Sequence, residues 1–201
     1  MKRNLSILLA SLLVVAAAVV AGSGRTEEEV PSPPAIGAMI DDFTLPDTDA
    51  KDHTLKSLAG NKGTVLLFIS VQCPVSNAYN ERMTKIAQEF KDKGISVIGI
   101  NSNVAEDAAA VKAHAAAKSL TFAILKDPGN KVADRLGATR TPEAYLLDAN
   151  NKLVYHGRID NNQNVDQIES NDLRNAIESL IAGRAIEKTE AKAFGCSIKR
   201  A

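Results

Sequence analysis

The hydrophobic positions of this chain fall into two kinds of run. Residues 65–69 (VLLFI) and 95–100 (ISVIGI) are nearly continuous apolar stretches rich in β-branched side chains, as expected of strands covered on both faces. Between them the apolar residues switch to helical spacing. Tyr79, Met83, Ile86, Ala87 and Phe90 stand at i, i+4, i+7, i+8 and i+11, one stripe of a long amphipathic helix. Pro74 suits the first turn of that helix, because the N–H it lacks would have no intrahelical partner, and Gly94 suits its end. Downstream the pattern predicts an Ala-rich helix over 104–118, opened by a capping box of Asn103 and Glu106. A strand at 122–125, a turn at 127–130 and a short helix over 132–136 closed by Gly137 follow. A strand over 144–147 comes after Thr141-Pro142 and turns through 148–151 into a hairpin partner at 153–155. Beyond a polar loop at 157–164, Leu173, Ile177, Leu180 and Ile181 mark a last helix ending near Gly183. Ahead of the first long strand, residues 40–60 carry short alternating segments, read as a small hairpin and a half-turn of helix. Strands alternating with helices, then a hairpin and a final helix, predict an α/β domain with a central mixed β-sheet flanked by helices on both faces.

The two ends of the chain read differently. Residues 1–21 have the build of a secretory signal peptide: Lys2 and Arg3, an apolar stretch over 5–20 broken only by Ser6 and Ser11, and Val19-Val20-Ala21 as small residues for cleavage. The stretch borders on the length of a membrane span, so an uncleaved anchor is the competing reading, and contact with a membrane is expected only in that case. Either way the domain is expected to be secreted or periplasmic, where disulfides persist. Residues 22–35, charged and Pro-rich, cannot build a core and read as a disordered linker, leaving 36–201 as the domain. Residues 188–201 read as a polar, flexible tail holding Phe194 and Cys196.

Composition narrows the chemistry. With 24 basic and 24 acidic residues and no Trp, the chain has neither the basic field nor the stacking platforms of a nucleic-acid binder. Cys73 and Cys196 are the only cysteines, too few for a disulfide-dense scaffold or a four-thiolate zinc site. His53, His114 and His156 are scattered without ligand spacing, so no metal and no cofactor is expected. His114 reads as a surface residue, Tyr79 as core packing and Glu143 as a solvated strand-edge charge.

Cys73 stands where a buried strand ends and a helix begins. A helix N-terminus offers unpaired N–H groups and a partial positive charge, and both favour the thiolate, which is the nucleophile. The same position also suits a buried structural thiol acting as a small hydrophobe.

A strand, then Cys73-Pro74-Val75-Ser76, an amphipathic helix, and Thr141-Pro142 before another apolar strand together resemble the thioredoxin-like superfamily. The nearest branch is that of the redoxins of AhpC/TSA type, over residues 35–186 and again at 195–199. The resemblance implies a thioredoxin-like fold and extracytoplasmic thiol–disulfide oxidoreductase chemistry. Cys73 would be the attacking thiolate and Cys196 the possible resolving thiol. Thr141 and a cis Pro142 would shape the substrate groove, and Ser70 and Ser76 would supply hydroxyls to it. The implied partners are protein thiols and disulfides or a small hydroperoxide, with a separate reductant protein. The departures matter as much. Thioredoxin-type proteins carry Cys-x-x-Cys, and here Ser76 takes the second position, so no disulfide can form inside the motif. Peroxiredoxins carry Pro-x-x-x-Thr-x-x-Cys, and here Leu66 and Ser70 stand at the Pro and Thr positions. The peroxide-binding arginine of that family has no clear match, Arg140 and Arg158 being the available stand-ins. Thiol exchange is therefore the leading reading, with two alternatives: a peroxiredoxin-like thiol peroxidase, and a non-catalytic peptide-binding domain in which Cys73 and Cys196 form a static bridge.

Overall fold

The computed structural model describes residues 31–200; the expected signal segment and most of the linker lie outside the described residues. The elements run β1 (Thr44–Pro46), β2 (Asp52–Thr54), α1 (Leu55–Leu58), β3 (Gly63–Phe68), α2 (Pro74–Ala78), α3 (Asn80–Lys91), β4 (Ile95–Asn101), α4 (Ala108–Ala117), β5 (Ala123–Lys126) and α5 (Lys131–Leu136). They continue with β6 (Arg140–Thr141), β7 (Glu143–Asp148), β8 (Leu153–Gly157), α6 (Asp172–Ile181), β9 (Glu190–Ala191) and β10 (Cys196–Ser197). The main sheet has the order β5-β4-β3-β7-β8-β9. Strands β3, β4 and β5 are parallel, while β7 runs antiparallel to both β3 and β8.

The continuous apolar runs are explained by what lies on each face. Along β3, Val65 and Leu67 join one core layer and Leu66 and Phe68 the other. The first layer takes Met83, Ile86, Ala87 and Phe90 of α3 and Leu173, Ala176 and Ile177 of α6. The second takes Val132, Ala133 and Leu136 of α5 and, from the N-terminal hairpin and the residues flanking it, Phe43, Leu45 and Leu55. Alternation in a strand sends successive side chains to opposite faces, so a strand buried on both sides has no polar phase to show.

Three expectations need correction. The helix after Cys73 is broken into α2 and α3 at Tyr79 (φ −97°, ψ −5°), although the apolar stripe continues through the joint. Helix α4 starts at Ala108 and is capped by Asp107, whose carboxylate accepts from Ala110 N at 2.7 Å. Asn103 and Glu106 therefore form no capping box. The C-terminal tail is ordered: β9 runs parallel to β8, β10 pairs with β6, and Ile198 is buried in the second core layer. A tail with two-residue strands carries no periodicity from which pairing could be read.

Leu67 is fully buried in the central strand. Leu67→Ala is expected to lower the unfolding free energy by about 2–5 kcal/mol in urea titration; a loss below about 1 kcal/mol would contradict this account of the core.

Candidate active site

Cys73 follows β3 as the N-cap of α2, at the carboxyl end of the central strand. Its side chain is 3% exposed. The sulfur accepts from Ser76 N at 3.3 Å and, as a thiol, donates to Thr141 O at 3.2 Å. Thr141 precedes Pro142 through a cis peptide bond, and Thr141 is paired across β6–β10 with Cys196. The fold thus brings the two cysteines together, 123 positions apart in sequence, with Thr141 as the shared neighbour. Both are free thiols, Cys73 buried and Cys196 partly exposed.

The pair is electrostatically asymmetric. Burial pushes the Cys73 thiol up, but the neighbouring Cys196, the Ser76 N–H that bonds its sulfur and Thr141 outweigh it, and the net shift is down from 9.0. The buried Thr141 hydroxyl has no hydrogen-bond partner of its own. Cys196 moves the opposite way: its bond to Cys73 and its own desolvation raise it, with only partial relief from the Val75 N–H. The first N–H groups of α2 therefore serve both sulfurs, and the inner one is the better thiolate.

Behind Cys73 the turn 70–72 closes on a residue that the sequence pattern assigned elsewhere. Glu106 is 3% exposed and its carboxylate accepts from Ser70 Oγ at 2.6 Å, Val71 N at 2.9 Å, Gln72 N at 3.0 Å and Asn101 Nδ2 at 2.5 Å. Burial alone would raise its pKa; these donors outweigh that and hold it below 4.5. Lys126 closes the far side, its ammonium on Asn101 Oδ1 and on the carbonyls of Asn103 and Glu106.

This network fixes what the two candidate serines do. The Ser70 hydroxyl proton is committed to Glu106 while its oxygen accepts from Cys73 N at 3.1 Å. Ser76 Oγ accepts from Ser70 N at 3.1 Å. Both side chains are buried supports of the Cys73 turn rather than free hydroxyls facing a substrate. Neither arginine stand-in lies free beside the sulfur: Arg158 Nε donates to Asp172 at 2.5 Å, and the exposed Arg140 reaches Gly195 O at 3.4 Å.

Glu143, expected in solvent, is buried. It accepts from Thr139 N and Arg140 N at 2.8 Å each, from Tyr145 OH at 3.2 Å, and bonds His156 Nε2 at 2.7 Å. It fixes the backbone that enters Thr141-Pro142. Tyr79 does pack in the core but also donates its hydroxyl to Asp160 at 2.7 Å, with the Arg82 guanidinium 3.7 Å over its ring. His114 is half-buried against Asn80, 3.2 Å away, rather than free on the surface. Glu143 adjoins Thr141-Pro142 in sequence, whereas Glu106 is brought to the Cys73 turn only by the fold, 36 positions from Ser70. Among the described residues no group of three or more His, Cys, Asp or Glu could hold a metal ion, and no helix is long and apolar enough to cross a membrane.

Comparison with known proteins gives the chain's relatives. The profile of the AhpC/TSA family matches residues 36–156. A chloroplastic peroxiredoxin Q of Suaeda salsa is 29% identical over 140 residues, covering 65% of this chain and 64% of that protein. The thiol-disulfide oxidoreductase ResA of Halalkalibacterium halodurans is 29% identical over 118 residues, covering 59% and 65%. The matched region thus spans just under two thirds of each relative's length. A hypothetical protein of Sinorhizobium meliloti 1021 superimposes with a TM-score of 0.78 at 31% identity, covering 84% of this chain and 96% of that one. The fold is thioredoxin-like, as expected from the sequence.

Two predictions follow from the geometry. Cys196→Ala removes the neighbour that does most to lower the Cys73 pKa, so the midpoint of Cys73 alkylation against pH should rise; an unchanged or lower midpoint would contradict the electrostatic coupling of the two thiols. Glu106→Gln turns one acceptor oxygen into a donor facing buried N–H groups and should cost about 1–3 kcal/mol at neutral pH. Because the folded carboxyl sits below its unfolded value of 4.5, its contribution is present above that pH and is lost as pH falls through the folded pKa. The stability gap between the parent and Glu106→Gln, followed by urea denaturation, should therefore narrow below about pH 4.5; a gap constant down to pH 3 would contradict the assignment.

Proposed function

The chain belongs to the AhpC/TSA family, and we propose that within it this protein is a two-cysteine thiol–disulfide oxidoreductase that cycles between a Cys73/Cys196 dithiol and a Cys73–Cys196 disulfide. The observation that carries this reading is the placement of Cys196 opposite Thr141, whose carbonyl accepts from the Cys73 thiol. In the first step the Cys73 thiolate attacks one sulfur of a substrate disulfide, and the other sulfur leaves as a thiolate. Cys196, giving up its proton, then attacks the Cys73 sulfur of the mixed disulfide. The second substrate thiolate leaves and the Cys73–Cys196 bond forms. The substrate gains two electrons and the protein dithiol loses them, to be restored by an external dithiol reductant protein. Ser70, Ser76 and Glu106 act as positioning residues, holding the turn that presents Cys73, while Thr141 and Pro142 border the groove.

A second reading takes a hydroperoxide as oxidant. It is supported by the burial of Cys73, which a small molecule reaches more readily than a polypeptide. The thiolate would attack one peroxide oxygen, leaving a sulfenic acid and releasing an alcohol or water; Cys196 would then expel water and form the same disulfide. Both readings share the residues and differ in substrate. The segment 1–21 supports an extracytoplasmic setting for either.

Cys196→Ser leaves a mixed disulfide on Cys73 unresolved, so intact mass spectrometry after exposure to a model peptide disulfide should find the peptide adduct on Cys73 accumulating. The parent should show only the Cys73–Cys196 bond. No adduct in the variant, or a parent adduct of equal lifetime, removes Cys196 from the resolving role.

A further inference from the structure

The Cys73 sulfur is buried, although it lies beyond the carboxyl end of the central strand. Its cover is the chain's own C-terminus. Strand β10 occupies the backbone edge of β6, with Cys196 opposite Thr141 and Ser197 opposite Arg140. Phe194 stands edge-on to Tyr79 at 6.2 Å between ring centres. Gly195 permits this close approach: its φ is +145°, and a Cβ there would fall 2.1 Å from Thr141 O.

The cover is also fastened beyond the cysteine. Ile198 is buried in the second core layer, and its N–H donates to Thr139 O at 3.0 Å. Lys199 N donates to Asn103 Oδ1 at 2.7 Å, and Lys199 O accepts from Val104 N at 3.0 Å. Arg200 bonds Asp134 at 2.8 Å and Ala138 O at 2.6 Å. Upstream, residues 192–195 belong to no strand and none of them is buried. Two paired residues at β10 and a short row of pins make a small opening unit, separable from the sheet that carries Cys73.

We propose that residues 192–200 form a strap that selects oxidants by size. With the strap down, small oxidants reach Cys73 while a polypeptide disulfide is excluded. With the strap lifted, Cys73 is open to a polypeptide disulfide as well. The inference rests on the reading of Cys73 as the attacking thiolate, and it divides the two oxidants of that reading between two states of one site. Ile198, Lys199 and Arg200 set the division without touching either sulfur.

The test compares alkylation of Cys73 in the fully reduced chain by iodoacetamide and by a maleimide carrying a long polyethylene glycol chain, each normalised to a free cysteine peptide and read by mass spectrometry of the Cys73 peptide. In the parent the large reagent should lag far behind the small one. Ile198→Asp should speed the large reagent by roughly tenfold or more, since losing one buried apolar anchor shifts the open fraction by that order, and the small reagent much less. Arg200→Ala, whose side chain is partly exposed, makes the same comparison without a core substitution, with circular dichroism checking that each variant is folded. Equal normalised rates for both reagents in the parent, or proportionate gains for both in folded Ile198→Asp and Arg200→Ala, would overturn the strap. Alkylation needs no turnover. A size-dependent rate in a protein that exchanges with no disulfide and reacts with no peroxide would therefore keep the strap and refute the redox reading.

Discussion

The carboxylate of Glu106 satisfies from the inside the backbone N–H groups of the turn behind the Cys73 sulfur. Residues 70–72 leave the central strand without strand partners, and their N–H groups would cost about 1–3 kcal/mol each if left unsatisfied away from water. Glu106 collects Val71, Gln72 and the Ser70 hydroxyl, and Ser70 in turn accepts from Cys73 N. The charge this places in the interior is answered by Asn101 and by a half-buried Lys126 that donates to the same segment. Cys73 thus enters α2 at a fixed position, with Ser76 N aimed at its sulfur. The helix contributes a donor, while the turn supplies the rigidity that makes the donor useful.

The same network reaches the C-terminus. Asn103 donates to Glu106 with its amide and accepts Lys199 N with its carbonyl oxygen. One side chain therefore joins the turn behind Cys73 to the segment covering it. Glu143 plays the corresponding part on the other side: it fixes the Thr139 and Arg140 backbone that β10 pairs with, and through His156 it reaches β8, to which β9 is attached. Two buried carboxylates, neither in contact with a sulfur, thereby set the relation between the two cysteines. This explains why an ordered tail can pair over only two residues: its register is imposed by the surfaces it lies against.

Much of this was legible in the sequence because it is local or periodic. The buried strands, the apolar stripe of α3, the hairpin of β7 and β8, and Cys73 at the meeting of strand and helix all follow from neighbours a few positions apart. The rest depends on partners far along the chain. Glu106 and Asn103 fit a capping box by spacing, yet the Glu106 side chain is drawn to residues 34–36 positions away, and Asp107 caps the helix instead. Glu143 looks like a strand-edge charge until His156, 13 positions on, is folded beside it. The break at Tyr79 is silent because the stripe runs through it unchanged. Ser70 and Ser76 lie beside Cys73, but a list of hydroxyls cannot tell which of them already donates to a buried partner such as Glu106.

The central claim is that Cys73 and Cys196 form one redox unit. Equilibrating the full-length chain across a series of thiol–disulfide buffers and counting free thiols on each cysteine by mass spectrometry tests it most directly. A single two-electron transition, with Cys73 and Cys196 lost together into one intramolecular bond, is the predicted result. Separate transitions ending in buffer adducts on each cysteine, or a Cys73 that stays reduced throughout, would contradict it.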